Sequence, residues 1–343
     1  IIFMRRILIS LIFVSSIFVF FLTRKNSIEY EISGQTMGTI QYNVKYISEE
    51  KRISKSDLDS ILINFNNIFS TYIPNSEISI VNESEGRIKV SKEFGKLIRE
   101  SNIIYKLTDG MFDPTVGPLV NDWGFGPGNF EKLPSKQRIQ ELLQYVGFDK
   151  ISYEDGHLHK KFKKSYIDFS SIAKGYAVDL IHDYLKSKNI ENTYIEIGGE
   201  VRVSGVNKDG NNWVLGILEP SFDKKINLSA TVSLANMALA TSGNYMNNYY
   251  VDDSLFFHTI NPKTGLPAYT NMLSASVFSS NCLSADAYAT AFMAMNFIES
   301  KSILDSSSDL LGYIIYKEKG EVKTYISDEL KPYIRIVEKT NSN

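Results

Sequence analysis

From Thr193 to Leu234 the chain reads as strand after strand: Thr193-Tyr194-Ile195-Glu196-Ile197, Glu200-Val201-Arg202-Val203, Trp213-Val214-Leu215-Gly216-Ile217 and Thr231-Val232-Ser233-Leu234. Gly198-Gly199 and Gly205 punctuate the run. A tight glycine turn brings a chain back beside itself, whereas a parallel neighbour needs a crossover of about a dozen residues or more. Sheets in this chain are therefore mostly antiparallel, with helices packed against them.

The same alternation recurs elsewhere. Glu29 to Ser33 and Thr39 to Tyr46 flank Gly34-Gln35-Thr36-Met37-Gly38 as a hairpin, and Leu311 to Tyr316 with Val322 to Tyr325 form a closing one. Ile151-Ser152-Tyr153 and His157-Leu158-His159 meet at an Asp155-Gly156 turn, which makes both histidines exposed strand residues rather than ligands. Helix signals place an N-cap at Ser56, with Leu58, Ile61, Leu62, Phe65 and Phe69 on one face and an end near Ser70-Thr71-Tyr72. Further helices are expected from Ser91 to Leu107, after Ser135, from Ile172 to Lys188 and from Ser284 to Phe297. The fourth follows a short strand, Tyr166-Ile167-Asp168-Phe169, through Ser170-Ser171, and a small-residue turn into a helix N-terminus welcomes anions. No repeat, low-complexity stretch or linker divides the chain, so residues 28–338 read as one α+β domain.

Charge excludes one function class. A formal net charge of −2, with no basic cluster interleaved with aromatics, gives no basis for nucleic-acid binding. The single Cys282 permits neither an intramolecular disulfide nor a thiolate zinc site. At the N-terminus, Arg5-Arg6 precede an apolar run from Ile7 to Leu22 closed by Thr23-Arg24-Lys25. Residues 1–25 read as a membrane anchor or signal segment; lacking a small-residue cleavage pattern and a cysteine for lipid attachment, they fit an uncleaved anchor with the globular part on the extracytoplasmic, periplasmic face.

Several stretches carry chemistry. Two prolines and a glycine in Asn261-Pro262-Lys263-Thr264-Gly265-Leu266-Pro267 force a sharp turn just after His258, which can present a base at the end of the strand-like Ser254-Leu255-Phe256-Phe257. Asp286 and Thr290, four apart among alanines, share one helix face and offer hard oxygens suited to Mg²⁺, or else serve as capping groups. Phe112 to Gly126, dense in glycine, proline and aromatics, holds a fixed irregular path, as either a packing loop or a ligand loop. Thr241-Ser242-Gly243-Asn244-Tyr245 and Gly198-Gly199-Glu200 admit the same two readings.

In this order, these pieces resemble the ApbE-like FAD:protein FMN transferase family. The matching segments are Thr36-Met37-Gly38-Thr39, Ser70-Thr71-Tyr72, Asp109 to Thr115 with the Trp123-Gly124-Phe125-Gly126 end, and Ile167-Asp168 through Ala173-Lys174-Gly175-Tyr176-Ala177-Val178-Asp179. They continue with Ile197 to Glu200, Ala240 to Gly243, His258 to Pro267 and Ala285 to Thr290. The resemblance implies an ApbE-like, T-fold-type domain that splits FAD at its pyrophosphate with Mg²⁺ and attaches FMN through a phosphoester to a Thr or Ser hydroxyl, releasing AMP. The acceptor it implies is an exported flavoprotein subunit of a membrane redox complex.

Carried over by position, Met37, Tyr72, Met111, Phe112, Asp113, Asp168, Lys174 and Ile260 contact FAD. Ser171 offers its carbonyl to the metal beside Asp286 and Thr290, and His258 is the base. The chain departs from the family pattern where Ser170-Ser171 replaces glycines and where Asn261 stands for the usual Asp before proline. Asn supports the same side-chain bond to the backbone. A non-catalytic extracytoplasmic FAD-binding protein and a Mg²⁺-dependent FAD pyrophosphatase are the alternatives.

Overall fold

The computed structural model describes residues 27–127, 132–221, 227–245, 248–251 and 254–337. The expected anchor at residues 1–25 lies outside the described residues; among those described, no helix is long and apolar enough to cross a membrane.

Strands β1 (Ile28–Thr36) and β2 (Ile40–Ser48) form the first expected hairpin, with Tyr42, Val44 and Tyr46 of β2 turned into the core. Its turn carries Met37 at φ 48° and Gly38 at φ 86°; the left-handed region costs glycine nothing and strains methionine. Helix α1 (Lys55–Phe69) starts from Ser54, not Ser56, because Asp57 reaches back to the Ser54 amide and closes a capping box. The chain continues through α2 (Glu77–Glu83), β3 (Gly86–Lys89) and α3 (Lys92–Leu107), capped by Ser91 as expected. A 3-10 turn at Pro114–Val116 leads into α4 (Gly117–Asp122), then α5 (Lys136–Leu143). The Asp-Gly hairpin, β4 (Ile151–Glu154) and β5 (His157–Lys160), joins β3 in a small sheet and leaves His159 exposed.

Tyr166 to Phe169 is not a strand. Asn82 takes the place of a neighbouring strand, accepting from Ile167 N and donating to Ile167 O at 2.8 Å each, while Asp168 N donates to Pro114 O at 2.8 Å. The backbone there is satisfied without a ladder. Helix α6 (Ala173–Ser187) follows, then β6 (Thr193–Ile197), β7 (Glu200–Ser204), β8 (Trp213–Leu218), β9 (Leu228–Leu234) and β10 (Met237–Gly243). Thr241 to Gly243 thus finishes a strand rather than forming a loop. The hairpin β11 (Asn248–Val251) and β12 (Ser254–Phe257) precedes the proline-rich turn, and β13 (Met272–Ser279) leads to α7 (Cys282–Ala294). This helix begins and ends earlier than its expected bounds of 284 and 297, since Asn281 caps it and an Asn296–Glu299 capping box restarts the chain as α8 (Phe297–Ser306). Strands β14 (Leu311–Glu318), β15 (Glu321–Ile326) and β16 (Ile334–Ile336) close the described chain.

Eight strands make one sheet in the order β1-β2-β6-β7-β10-β13-β14-β15, every pairing antiparallel. One face, with Ala238, Ala240, Ala275, Val277 and Ile314, shares a core with residues of α1, α6 and α7. The other, with Val201, Val203, Leu239, Phe278, Tyr313 and Ile315, packs on the small sheet β16-β9-β8. The α+β class and the antiparallel pairing are as expected. A third cluster, Leu119, Trp123, Ile139, Leu142, Val146 and Ile260, lies under the proline-rich turn.

Candidate active site

The N-terminus of α6 has no side-chain cap from Ile172, and its Gly175 amide donates instead to Asp286 Oδ2 of α7 at 2.9 Å. Only glycine fits at this crossing: a Cβ on Gly175 would lie 2.3 Å from Cys282 O and 2.8 Å from Asp286 Cβ. Beside it, Lys174 Nζ sits 2.7 Å from Glu200 Oε1 and 4.0 Å from Asp286 Oδ1, with both acids almost wholly buried. Burial disfavours the Lys174 ammonium, but Asp286 and Glu200 outweigh it and hold its pKa above the usual lysine value. Burial, opposed by Lys174 and reinforced by Asp286, pushes the Glu200 carboxyl up to about 7; burial likewise raises that of Asp286 against the pull of Lys174. Glu200 Oε2 is buried with no hydrogen-bond partner.

One turn further along α7, Thr290 Oγ1 donates to Ser171 O at 3.5 Å, with Ser242 Oγ 3.4 Å away. The structure thus brings Ser171 and Thr290 together and sets Asp286 on the same helix. Asp286 Oδ2 is committed to the Gly175 amide; Oδ1 faces Lys174 at a distance longer than a hydrogen bond. Among the described residues no group of three or more His, Cys, Asp or Glu side chains is placed to hold a metal. The donors at hand are a carbonyl, a hydroxyl and one carboxylate oxygen, all hard, a chemistry that would suit Mg²⁺ with water or phosphate completing its shell.

The turn after His258 gathers a second cluster of the residues singled out in the sequence. Asn261 Oδ1 accepts from Lys263 N at 2.9 Å and Thr264 N at 3.1 Å, and its carbonyl accepts from Gly265 N at 2.8 Å. Asn261 therefore holds the turn by the side-chain bond its type allows. Trp123 Nε1 donates to Gly265 O at 2.8 Å, Lys263 pairs with Asp109, and the His258 ring meets the edge of Phe125 with centroids 6.3 Å apart. These contacts bind the aromatic loop and the turn into one unit. A cleft of about 600 Å³ opens beside them, with Asp109, Met111, Asn261, Lys263 and Tyr269 in its lining.

Asp168 ties the segment before α6 to the 3-10 turn at Pro114. Its amide donates to Pro114 O, its Oδ1 accepts from Ser170 N at 2.8 Å and Ser170 Oγ at 2.5 Å, and Ser171 follows toward Thr290. Met37 lies on the β1–β2 turn; the neighbouring β6–β7 turn passes close enough that a Cβ on Gly198 would meet Ile40 Cγ2 at 2.7 Å and Lys174 Cδ at 3.4 Å. Asp113 caps the 3-10 turn, accepting from Thr115 N and Oγ1, and burial pushes its carboxyl up to about 6. Phe112 is 1% and Ile260 5% exposed, so these positions offer a ligand mainly backbone, whereas Tyr72 stands 68% exposed after α1.

Gly175 and Asp179 carry no individual role in the sequence reading, while Ser242 and the buried acid Glu200 fall in stretches that read there as either packing or ligand loops. The one signal available was spacing: Gly175 and Asp179, like Cys282 and Asp286, stand four apart on helices, so each pair shares a face.

The ApbE family model matches residues 37–315. The curated FAD:protein FMN transferase of Vibrio cholerae is 34% identical over 313 residues, covering 89% of this chain and 93% of its own length. That of Haemophilus influenzae is 34% identical over 304 residues, covering 85% and 88%. Among solved structures, the flavin transferase ApbE from Vibrio cholerae superposes with a TM-score of 0.80 at 34% identity, covering 90% of this chain and 99% of that one. The apo flavinyl transferase ApbE of Pseudomonas stutzeri gives 0.80 at 29% identity, covering 89% and 97%.

Proposed function

The chain belongs to the ApbE family, and we propose that, like the relatives named FAD:protein FMN transferase, it moves the FMN part of FAD onto a protein. The observation that carries this reading is the pair of contacts α7 makes at the start of α6, Asp286 beside Lys174 and Thr290 on the Ser171 carbonyl. A half-buried ammonium, a helix start and hard oxygen donors together suit a pyrophosphate and its counter-ion.

In the proposed reaction a Thr or Ser hydroxyl of the acceptor attacks the phosphorus on the FMN side of FAD. The new P–O bond forms as the bond to the AMP phosphate breaks, AMP leaves, and His258 takes the hydroxyl proton. Ser171, Asp286 and Thr290 would hold Mg²⁺, which when bound offsets charge on the transferring phosphoryl group. Lys174 supplies a second positive charge to the phosphates. Met37 and Tyr72 pack on the ring system, while Met111, Phe112, Asp113, Asp168 and Ile260 border the dinucleotide. We further infer, from residues 1–25 read as an anchor or signal segment, that the domain works on the extracytoplasmic face and that its acceptor is an exported subunit of a membrane redox complex; the mass of the mature N-terminus and membrane fractionation test this.

The deciding experiment incubates the protein with FAD, Mg²⁺ and an exported flavoprotein acceptor, and follows in-gel flavin fluorescence and an FMN mass increment. Labelled acceptor with released AMP is the expected result. AMP without labelling identifies a pyrophosphatase, and intact FAD throughout identifies a carrier.

A further inference from the structure

Asp179 takes no part in the reaction above, yet it is a charge held at 7% exposure between two helices. Its Oδ1 accepts from Arg202 Nη1 at 2.6 Å and from Cys282 N at 2.9 Å, and its Oδ2 accepts from Leu283 N at 2.9 Å. Cys282 and Leu283 open α7, so a carboxylate from α6 satisfies two of the amides that a helix start leaves unpaired. Asn281 satisfies a third, at Ser284. The arrangement is reciprocal. Asp286, one turn into α7, accepts from Gly175 of α6, and Asp179, one turn beyond Gly175, accepts from the first turn of α7.

Each helix thus caps the other. The crossing needs such a clasp because of what else holds α7 in place. The helix is buried nearly all round, and Ala285, Ala287, Ala289 and Ala291 share its packed surface with the larger Leu283, Tyr288, Phe292 and Met293. Alanine surfaces present shallow ridges and resist sliding along the helix axis less than large interlocking side chains do. A slip of α7 along its axis would carry Asp286 and Thr290 past the Ser171 carbonyl. Stability alone explains a buried ion pair poorly, since an apolar replacement of similar volume is often as stable or more so.

We propose that Asp179 is a positioning residue for the cation site: by clasping the first turn of α7 from α6, it fixes where Asp286 and Thr290 meet the Ser171 carbonyl. Arg202 neutralises the clasp from β7. The inference rests on the reading of Ser171, Asp286 and Thr290 as metal donors given above.

The test titrates Mg²⁺ into the full chain and into Asp179→Asn by calorimetry, at a temperature where both are folded, with FAD affinity measured separately by fluorescence quenching in metal-free buffer. The Asn amide presents N–H to amide donors and breaks half of the clasp. Mg²⁺ affinity is expected to fall by about tenfold, the lower end of what loss of a direct partner of a metal ligand costs, while FAD affinity stays within about twofold. Arg202→Met keeps the two amide bonds and removes the cation; a smaller loss of Mg²⁺ affinity is expected, and this variant decides the matter should Asp179→Asn fail to fold. Mg²⁺ affinity equal to that of the unaltered chain, with only the melting temperature lowered, overturns the proposal. An unaltered chain that binds no Mg²⁺ overturns it together with the metal reading, and flavin transfer that persists in a chelator identifies that second failure.

Discussion

Lys174 Nζ lies 2.7 Å from Glu200 Oε1, a carboxylate only 3% exposed, and this pair is the electrostatic centre of the α6 N-terminus. Removing the cation leaves Glu200 and Asp286 buried together without compensation. Lys174→Met is expected to destabilise the fold by about 3 kcal/mol, read from urea unfolding. Adding Glu200→Gln should recover part of that loss, because the orphaned charge goes too. Additive losses in the double variant would show that the two side chains do not act as a pair.

Gly175→Ala places a methyl against the Cys282 carbonyl, which is backbone and cannot swing aside. Alanine favours helix by about 1 kcal/mol over glycine. The clash should outweigh that gain and leave the variant less stable by about 1–3 kcal/mol. A melting temperature at or above that of the unaltered chain would mean that the helices are free to separate.

Asp113 provides a pH signature. Burial raises its folded carboxyl from 3.8 to about 6, so between those values the native protein keeps a proton that the unfolded chain has lost. Stability from this group is full below about pH 4 and is lost as pH rises to about 6, by on the order of 2–3 kcal/mol. Asp113→Asn should therefore differ from the unaltered chain by an amount that changes across that window and is constant above it. Parallel stability curves from pH 4 to 7 would exclude the shift.

His258→Ala should lower the rate of flavin transfer by about 10²–10⁴ while FAD affinity stays within about threefold, because a general base acts on the acceptor hydroxyl and not on nucleotide binding. Single-turnover labelling and fluorescence titration separate the two. Equal loss of both would remove His258 from the role of base.

The parts that were legible in sequence are those whose cause is local. Prolines and a glycine declare the turn from Asn261 to Pro267, and the Asn261 side chain bonds to Lys263 and Thr264 as its type allows. Strand β13 carries no strand signal in its sequence because Ser274 to Ser279 is buried on both faces, which erases the two-residue alternation. The bounds of α7 were misplaced for a similar reason: a helix buried all round has no polar face to mark its limits. Tyr166 to Phe169 has strand-like residues, but Asn82, far back in the chain, took its hydrogen bonds. Glu200 and Asp179 gained their roles from partners on other elements, which no window of neighbouring residues contains.

The bonds that assemble the site, Asp179 to Cys282, Gly175 to Asp286, Thr290 to Ser171 and Trp123 to Gly265, span 103, 111, 119 and 142 residues. Contacts of such separation form late, after the loops between them have been closed at an entropic cost. A chain emerging N-terminus first has Lys174 and Ser171 long before it has Asp286 or Thr290. No copy that ends before Thr290 can hold the complete set of donors, so on the proposed reading competence to handle a flavin nucleotide arrives only when α7 has docked.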